Sequence, residues 1–291
     1  MHPAPSLIAF TTLSGLGFGL MAWLGIDATP PTFWVAFWFY ALAFGLAGAG
    51  LLASTLHLGH PERALKAFTQ WRSSWLSREA WLAVIALAVN GIYAALLVFT
   101  GTHVALLGWL GAAIAGVTVF ATSMIYGQLK TVPRWNDWTT PMLFVAFAVT
   151  GGALLSGHVR VGGVLLLILG ALQLFAWARG DTRLSGSGTT MATATGLGTI
   201  GAVRAFEPPH TGSNYLLHEM VHVVARKHAQ KLRMIAFGLF AVVPWVLFVV
   251  LPFSHLLAAV AILSHLAGTL IARWLFFAEA EHVVGLYYGK R

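Results

Sequence analysis

Apolar residues along the chain gather in long runs divided by short polar stretches, near positions 5–26, 33–56, 79–100, 103–126, 140–157, 160–178, 234–252 and 256–278. An α-helix needs ~20 consecutive apolar residues to cross the hydrocarbon core of a bilayer. The pattern therefore predicts an all-α membrane protein, a bundle of eight transmembrane helices forming one membrane domain over residues 1–291. Only Thr100 to His103 separate the third and fourth runs, and only Phe253 to His255 the seventh and eighth, so each pair is expected to be an antiparallel hairpin. The first run has no basic segment ahead of it and no cleavage site behind it, and it reads as a retained helix, not a signal peptide.

Composition agrees with this pattern. Hydrophobic residues make up 58% of the chain and charged residues 9%, against about 25% charged in soluble domains. So few charges cannot coat a water-facing surface. Cysteine is absent, which excludes a disulfide and a cysteine-ligated iron–sulfur cluster within the chain.

Charge placement then orients the bundle. With eight crossings, both termini and the loops 2/3, 4/5 and 6/7 share one side, which holds 15 of the 17 Lys and Arg residues. Arg160 lies on the other side and Arg273 within the last run. Basic residues near helix ends stay cytoplasmic, so the termini are expected on the cytoplasmic side of a bacterial inner membrane. A basic docking face for an acidic partner would give the same bias. The formal charge of +8 suits anionic lipid or a protein partner, and no aromatic-interleaved basic groove points to nucleic acid.

The one long loop, residues 180–232, opens Gly/Ser/Thr-rich and closes on an expected helix from Asn214 to Arg233. Tyr215, Leu216, Met220, Val223 and Val224 fall near one face of that helix, which suits a membrane surface or a partner. Two motifs in the loop imitate active sites. Gly196, Gly198 and Gly201 match the dinucleotide fingerprint, but its mechanism needs a strand before it and a helix after it. His218, Glu219, His222 and His228 follow much of a zinc-protease pattern, yet Ala225 stands where a glycine turn must bring round the third ligand. Histidines on the polar face of an interfacial helix are the simpler reading.

Three stretches carry a family resemblance. The first runs Ser54-Thr-Leu-His57-Leu-Gly59-His60-Pro61-Glu-Arg63-Ala64 and leads to Gln70-Trp-Arg-Ser-Ser-Trp-Leu-Ser-Arg78-Glu79. The second runs Tyr126-Gly-Gln128-Leu-Lys-Thr131-Val-Pro133-Arg-Trp135 and leads to Trp138-Thr-Thr-Pro141-Met142. The third is Leu266-Ala-Gly268-Thr-Leu-Ile-Ala-Arg273-Trp-Leu-Phe276-Phe277. Together they make the chain resemble the membrane anchor subunits of dimethyl sulfoxide reductase and its relatives, a branch of the polysulfide-reductase-like anchors.

The resemblance implies an anchor without haem that exchanges electrons between a membrane quinone, ubiquinone or menaquinone, and an iron–sulfur subunit, which connects to a molybdopterin catalytic subunit. The opening Met1-His-Pro-Ala and the Gln70–Trp75 run look more like anchors of cytoplasmic sulfite dehydrogenases. A quinol-oxidising dimethyl sulfoxide reductase anchor is the alternative in the same class, and a transporter the alternative in another.

Quinone chemistry moves protons with electrons and needs a titratable group at the quinone oxygen. His57, at the basic-side end of the second run, is expected to be that group, though a helix-end histidine also serves to satisfy a carbonyl. Ser54, Arg63, Tyr126 and Gln128 are expected beside it, with Tyr126 alternatively an ordinary interfacial anchor. Arg273, an intramembrane cation costing at least ~2.5 kcal/mol, is expected to face the bundle interior and to polarise the quinone head group or pair with Glu279. Arg72, Arg78, Arg134, Arg226 and Lys227 are expected to dock the iron–sulfur subunit. Of the twelve histidines only His265 lies clearly deep, and two-sided haem ligation needs a pair. No haem and no metal site are expected.

Overall fold

The computed structural model describes residues 1–56, 58–207, 210, 212, 214–221 and 228–288. Among the described residues seven helices are long and apolar enough to cross a membrane: α1 (Pro5–Ile26), α2 (Phe33–Thr55), α3 (Trp75–Thr100), α4 (Ala105–Gly127), α6 (Val159–Gly180), α7 (Ala229–Val250) and α8 (His255–Ala278). Between α4 and α6 stands α5, Thr139–Leu155, an apolar helix of 17 residues. Of the eight expected spans, seven thus have the length to cross and the fifth is a shorter apolar helix. The chain leaves α5 at Ser156 and turns on Gly157, whose φ of +80° is open to glycine. No strand occurs among the described residues.

α1 is the central post, packed against α2, α4, α5 and α8. Lipid tails are as apolar as leucine, so helices in a membrane associate through close backbone contact at small residues. Gly17 meets the backbone of Ala43 and Ala47 in α2, and Gly19 meets Ala148 and Gly152 in α5, where a Cβ on either glycine would strike backbone atoms. Substituting either would push α1 off its neighbour.

The start of α1 and the end of α8 lie side by side, because the Met1 amine donates to the Ala280 carbonyl at 2.7 Å. The C-terminal segment continues over the same end of the bundle, where Val283 N–H donates to Thr131 O at 2.9 Å.

α7 departs most from regular geometry. Its α-helical start, Ala229–Phe237, passes into π-helical turns at Gly238–Val242 and Val246–Val250 on either side of Pro244. Proline has no N–H to donate to the carbonyl four residues back, here that of Phe240. His265 of α8 donates from Nδ1 to that carbonyl at 2.7 Å and Ser264 to the Leu239 carbonyl beside it at 2.8 Å, so α8 supports the irregular stretch of its neighbour helix.

Two boundaries differ from the sequence reading for one reason. α3 begins at Trp75 instead of residue 79, and α7 at Ala229 instead of 234, because Arg78, Lys231 and Arg233 sit in helical turns that hydropathy ends too early. The expected helix from Asn214 to Arg233 is corrected as well. A π-helical turn at Leu216–Met220 ends at Val221, where φ −113° and ψ 51° leave the helical region. Residues 222–227, with His222, Arg226 and Lys227, lie outside the described residues.

In the long loop Gly196, with φ +70°, stops the short helix Met191–Thr195. The helix thus precedes the glycines, the reverse of the dinucleotide arrangement. Among the described residues no group of His, Cys, Asp and Glu could hold a metal ion.

Candidate functional site

The polar groups converge on the end of the bundle where α1 starts and α8 stops. Loop 4/5 places Arg134 there, α6 ends on Asp181, α7 opens with Arg233, and α8 ends on Glu279. Arg134 donates to Asp181 at 3.0 Å and to Glu279 at 2.7 Å. Arg233 donates from Nε to Glu279 at 2.6 Å and from both Nη atoms to Asp181 at 2.8 and 2.6 Å. Two guanidiniums and two carboxylates from four segments close a ring, so every charge meets at least two partners.

A second cluster lies beside it. Asp137, only 2% exposed in its side chain, takes ion pairs from Arg179 at 3.0 Å and Arg183 at 3.3 Å. Burial alone would raise the Asp137 carboxyl, but hydrogen bonds from Thr139 and the charge of Arg179 outweigh it and hold it below the usual carboxylate range. Burial likewise opposes ionisation of Asp181, and Arg233 and Arg134 overcome it.

Inward of the ring is an aromatic wall. Tyr126, at the end of α4, has its ring 5.4–5.8 Å from those of Trp135, Phe144, Phe276 and Phe277. Trp135 stacks on Phe276 and donates to its carbonyl at 2.9 Å. The second and third motif stretches therefore meet in space.

Arg273 lies behind this wall. It is 4% exposed, with its guanidinium carbon 3.7 Å from the centre of the Phe144 ring and 5.2 Å from that of Phe147. It is interior, as expected, but it does not pair with Glu279, whose two oxygens are taken by Arg134 and Arg233.

One polar group escaped the sequence reading. Glu79 on α3 is 4% exposed, and Thr122 of α4 donates to it at 3.3 Å. The same logic that singles out Arg273, a charge inside an apolar run, applies to Glu79. Its position at the edge of the run made it look like a boundary.

The remaining expected site residues spread over the same end. Ser54, in the last turn of α2, donates to Leu51 O at 2.6 Å. Arg63 and Gln128 are exposed. His57 lies outside the described residues. Arg72 is exposed, stacked over Trp71. Arg78 has a different setting: it donates to the carbonyls of Trp71 and Arg72 at 3.0 and 2.7 Å and lies 4.5 Å over Trp75, tying loop 2/3 to the start of α3. Arg134, expected to face a partner, spends its guanidinium inside the ring of ion pairs.

Residues 6–289 match the family model of the DMSO reductase anchor subunit (DmsC). The chain is 32% identical to a sulfite dehydrogenase subunit of Allochromatium vinosum, over 99% of both proteins. It is 35% identical to a chain of the anaerobic dimethyl sulfoxide reductase of Escherichia coli, over 47% of each, and 33% identical to the YnfH chain of the same organism, over 41% of this protein and 43% of that one. No solved structure matches. The match displaces the transporter reading, and with residues 6–289 covered the chain belongs to the DMSO reductase anchor subunit family.

Proposed function

We propose that the chain is the quinone-interacting anchor of a cytoplasm-facing sulfite dehydrogenase, passing electrons from an iron–sulfur subunit, itself fed by a molybdopterin catalytic subunit, to the membrane quinone pool. The observation that carries this is the extent of similarity. The relation to the Allochromatium sulfite dehydrogenase subunit spans 99% of both proteins, whereas that to the Escherichia dimethyl sulfoxide reductase relative covers 47%. That partial similarity keeps a quinol-oxidising anchor as the second reading.

Eight crossings of a bacterial inner membrane, α5 included, fit the contact of Met1 with Ala280, because an odd number would leave those residues on opposite faces. The basic residues gathered at that end support a cytoplasmic placement for it.

The quinone site is assigned to the same end, among Ser54, His57, Arg63, Tyr126, Gln128 and Glu79. Reducing a quinone takes two electrons and two protons. His57 and Glu79 are the proton carriers, and the Tyr126 hydroxyl and Gln128 amide are donors suited to a quinone oxygen. Arg273 stands behind the aromatic wall as a positioning charge. The exposed Arg72, with Arg226 and Lys227, forms the docking surface for the iron–sulfur subunit.

Purification tests the whole reading. Gentle detergent extraction should bring out two larger hydrophilic subunits, and sulfite should drive quinone reduction by that complex. A reporter fused after Arg291 should be active only in cytoplasmic form. A periplasmic reporter active there, with quinol-driven reduction of a sulfoxide, would establish the second reading instead.

A further inference from the structure

Among the described residues no ion pair balances the charge of Arg273. Its Nε is buried without a hydrogen-bond partner, and Glu279, the nearest carboxylate along its own helix, is fully engaged with Arg134 and Arg233. The faces of Phe144 and Phe147 attract the cation, but they accept none of the five N–H bonds that a guanidinium offers in its plane.

Arg273 borders a small, partly open chamber. It has a volume of about 40 Å³ and is lined by Thr139 and Thr140 of α5, Gln173 of α6 and Arg273 of α8, with Arg134 and Glu279 toward the ring of ion pairs. Gln173 is itself buried, and the Thr140 hydroxyl is already committed to Trp135 O at 2.8 Å. The space suits on the order of three waters, which is too little for a quinone ring. The lining carries two guanidiniums and one carboxylate, a net charge of +1, in a region of low dielectric.

Water would satisfy the donors but leave the charge, and an uncompensated buried charge is strongly unfavourable. A small anion meets both needs. We propose that this chamber is an internal binding site for one inorganic monoanion of halide size, held by Arg273 with the Gln173 amide and joining α6 and α8. The site does not depend on quinone binding and is formed by the protein's own helices.

The test uses the intact detergent-purified complex in sodium gluconate, titrated with chloride or bromide at constant ionic strength. The unfolding midpoint of the membrane protein should rise saturably, by about 3 °C, and bromide-soaked crystals should show an anomalous peak inside the chamber. Arg273→Gln and Gln173→Leu should each abolish the saturable rise. Equal midpoints in halide and gluconate, or a rise that survives both substitutions, would overturn the proposal. Should neither variant fold, an empty or water-filled chamber in bromide-soaked wild-type crystals overturns it alone.

Discussion

His265 donates from Nδ1 to the carbonyl of Phe240 at 2.7 Å, the carbonyl that Pro244, lacking an N–H, cannot serve. A carbonyl only accepts, so the ring's proton is fixed on Nδ1. The pair explains why a histidine sits deep in α8 and why α7 tolerates a proline between two π-helical turns.

The arrangement predicts a coupling. His265→Leu leaves the Phe240 carbonyl buried without this donor, and a buried polar group so stranded costs about 1–3 kcal/mol. In Pro244→Ala the restored N–H serves the carbonyl, so His265→Leu should cost much less in that background. Unfolding of the purified protein in a detergent series measures the cycle. Additive losses would separate the proline from the histidine.

Acid should loosen the ring of ion pairs and the Asp137 cluster beside it in a defined range. Asp137 and Asp181 are held below the usual carboxylate range once folded. The stability they contribute is fully present above the unfolded value and is lost as pH falls through the folded one. The end of the bundle should thus hold at neutral pH and weaken only below about pH 4. Asp181→Asn should give a shallower decline of the unfolding midpoint across that range. Superimposable acid limbs for variant and wild type would show that the ring adds nothing.

Docking residues need to be separated from residues that only shape loop 2/3. Arg78 is bound to the carbonyls of Trp71 and Arg72, so its replacement should disturb the loop itself. Arg72 carries an exposed guanidinium. Arg72→Glu should release the hydrophilic subunits from washed membranes while the anchor stays at wild-type abundance, whereas Arg78→Glu should lower anchor abundance too. Full retention of those subunits on the Arg72→Glu anchor would remove Arg72 from the interface.

Much of this architecture was legible in hydropathy. The core of every span was found, because crossing lipid demands runs of apolar residues whatever their partners. The ends were less so. Lys231 and Arg233 look like loop residues, yet α7 includes them since Arg233 finds Asp181 and Glu279 at the bundle end.

Arg273 was recognisable as interior by its type alone, but its surroundings were not. Glu279 is its near neighbour in sequence and turns instead to Arg134 and Arg233, which arrive from loop 4/5 and from α7. Such pairings depend on how distant segments return to one end, which spacing along a single helix does not encode. Glu79 was missed for a related reason, since its burial comes from α4 and not from its own run.

Proton delivery to the quinone is the last expectation, and it rests on two residues of unlike setting. Glu79 is enclosed between α3 and α4, with Thr122 donating to its carboxyl at 3.3 Å. His57 stands in the sequence just past the second apolar run, and histidine is the side chain suited to carrying protons near neutral pH. If both carry protons and not contacts to the partner, Glu79→Gln and His57→Ala should leave assembly and dye-linked activity of the catalytic subunit unchanged. Quinone-linked turnover should fall by about 10²-fold or more in each, the usual scale for loss of a general acid or base. Glu79→Gln keeps the shape and the hydrogen bond from Thr122 but cannot carry a proton, which separates chemistry from packing. Steady-state quinone reduction in proteoliposomes decides it: a variant with wild-type turnover and unchanged quinone affinity would reduce that residue to a structural part of the helix ends.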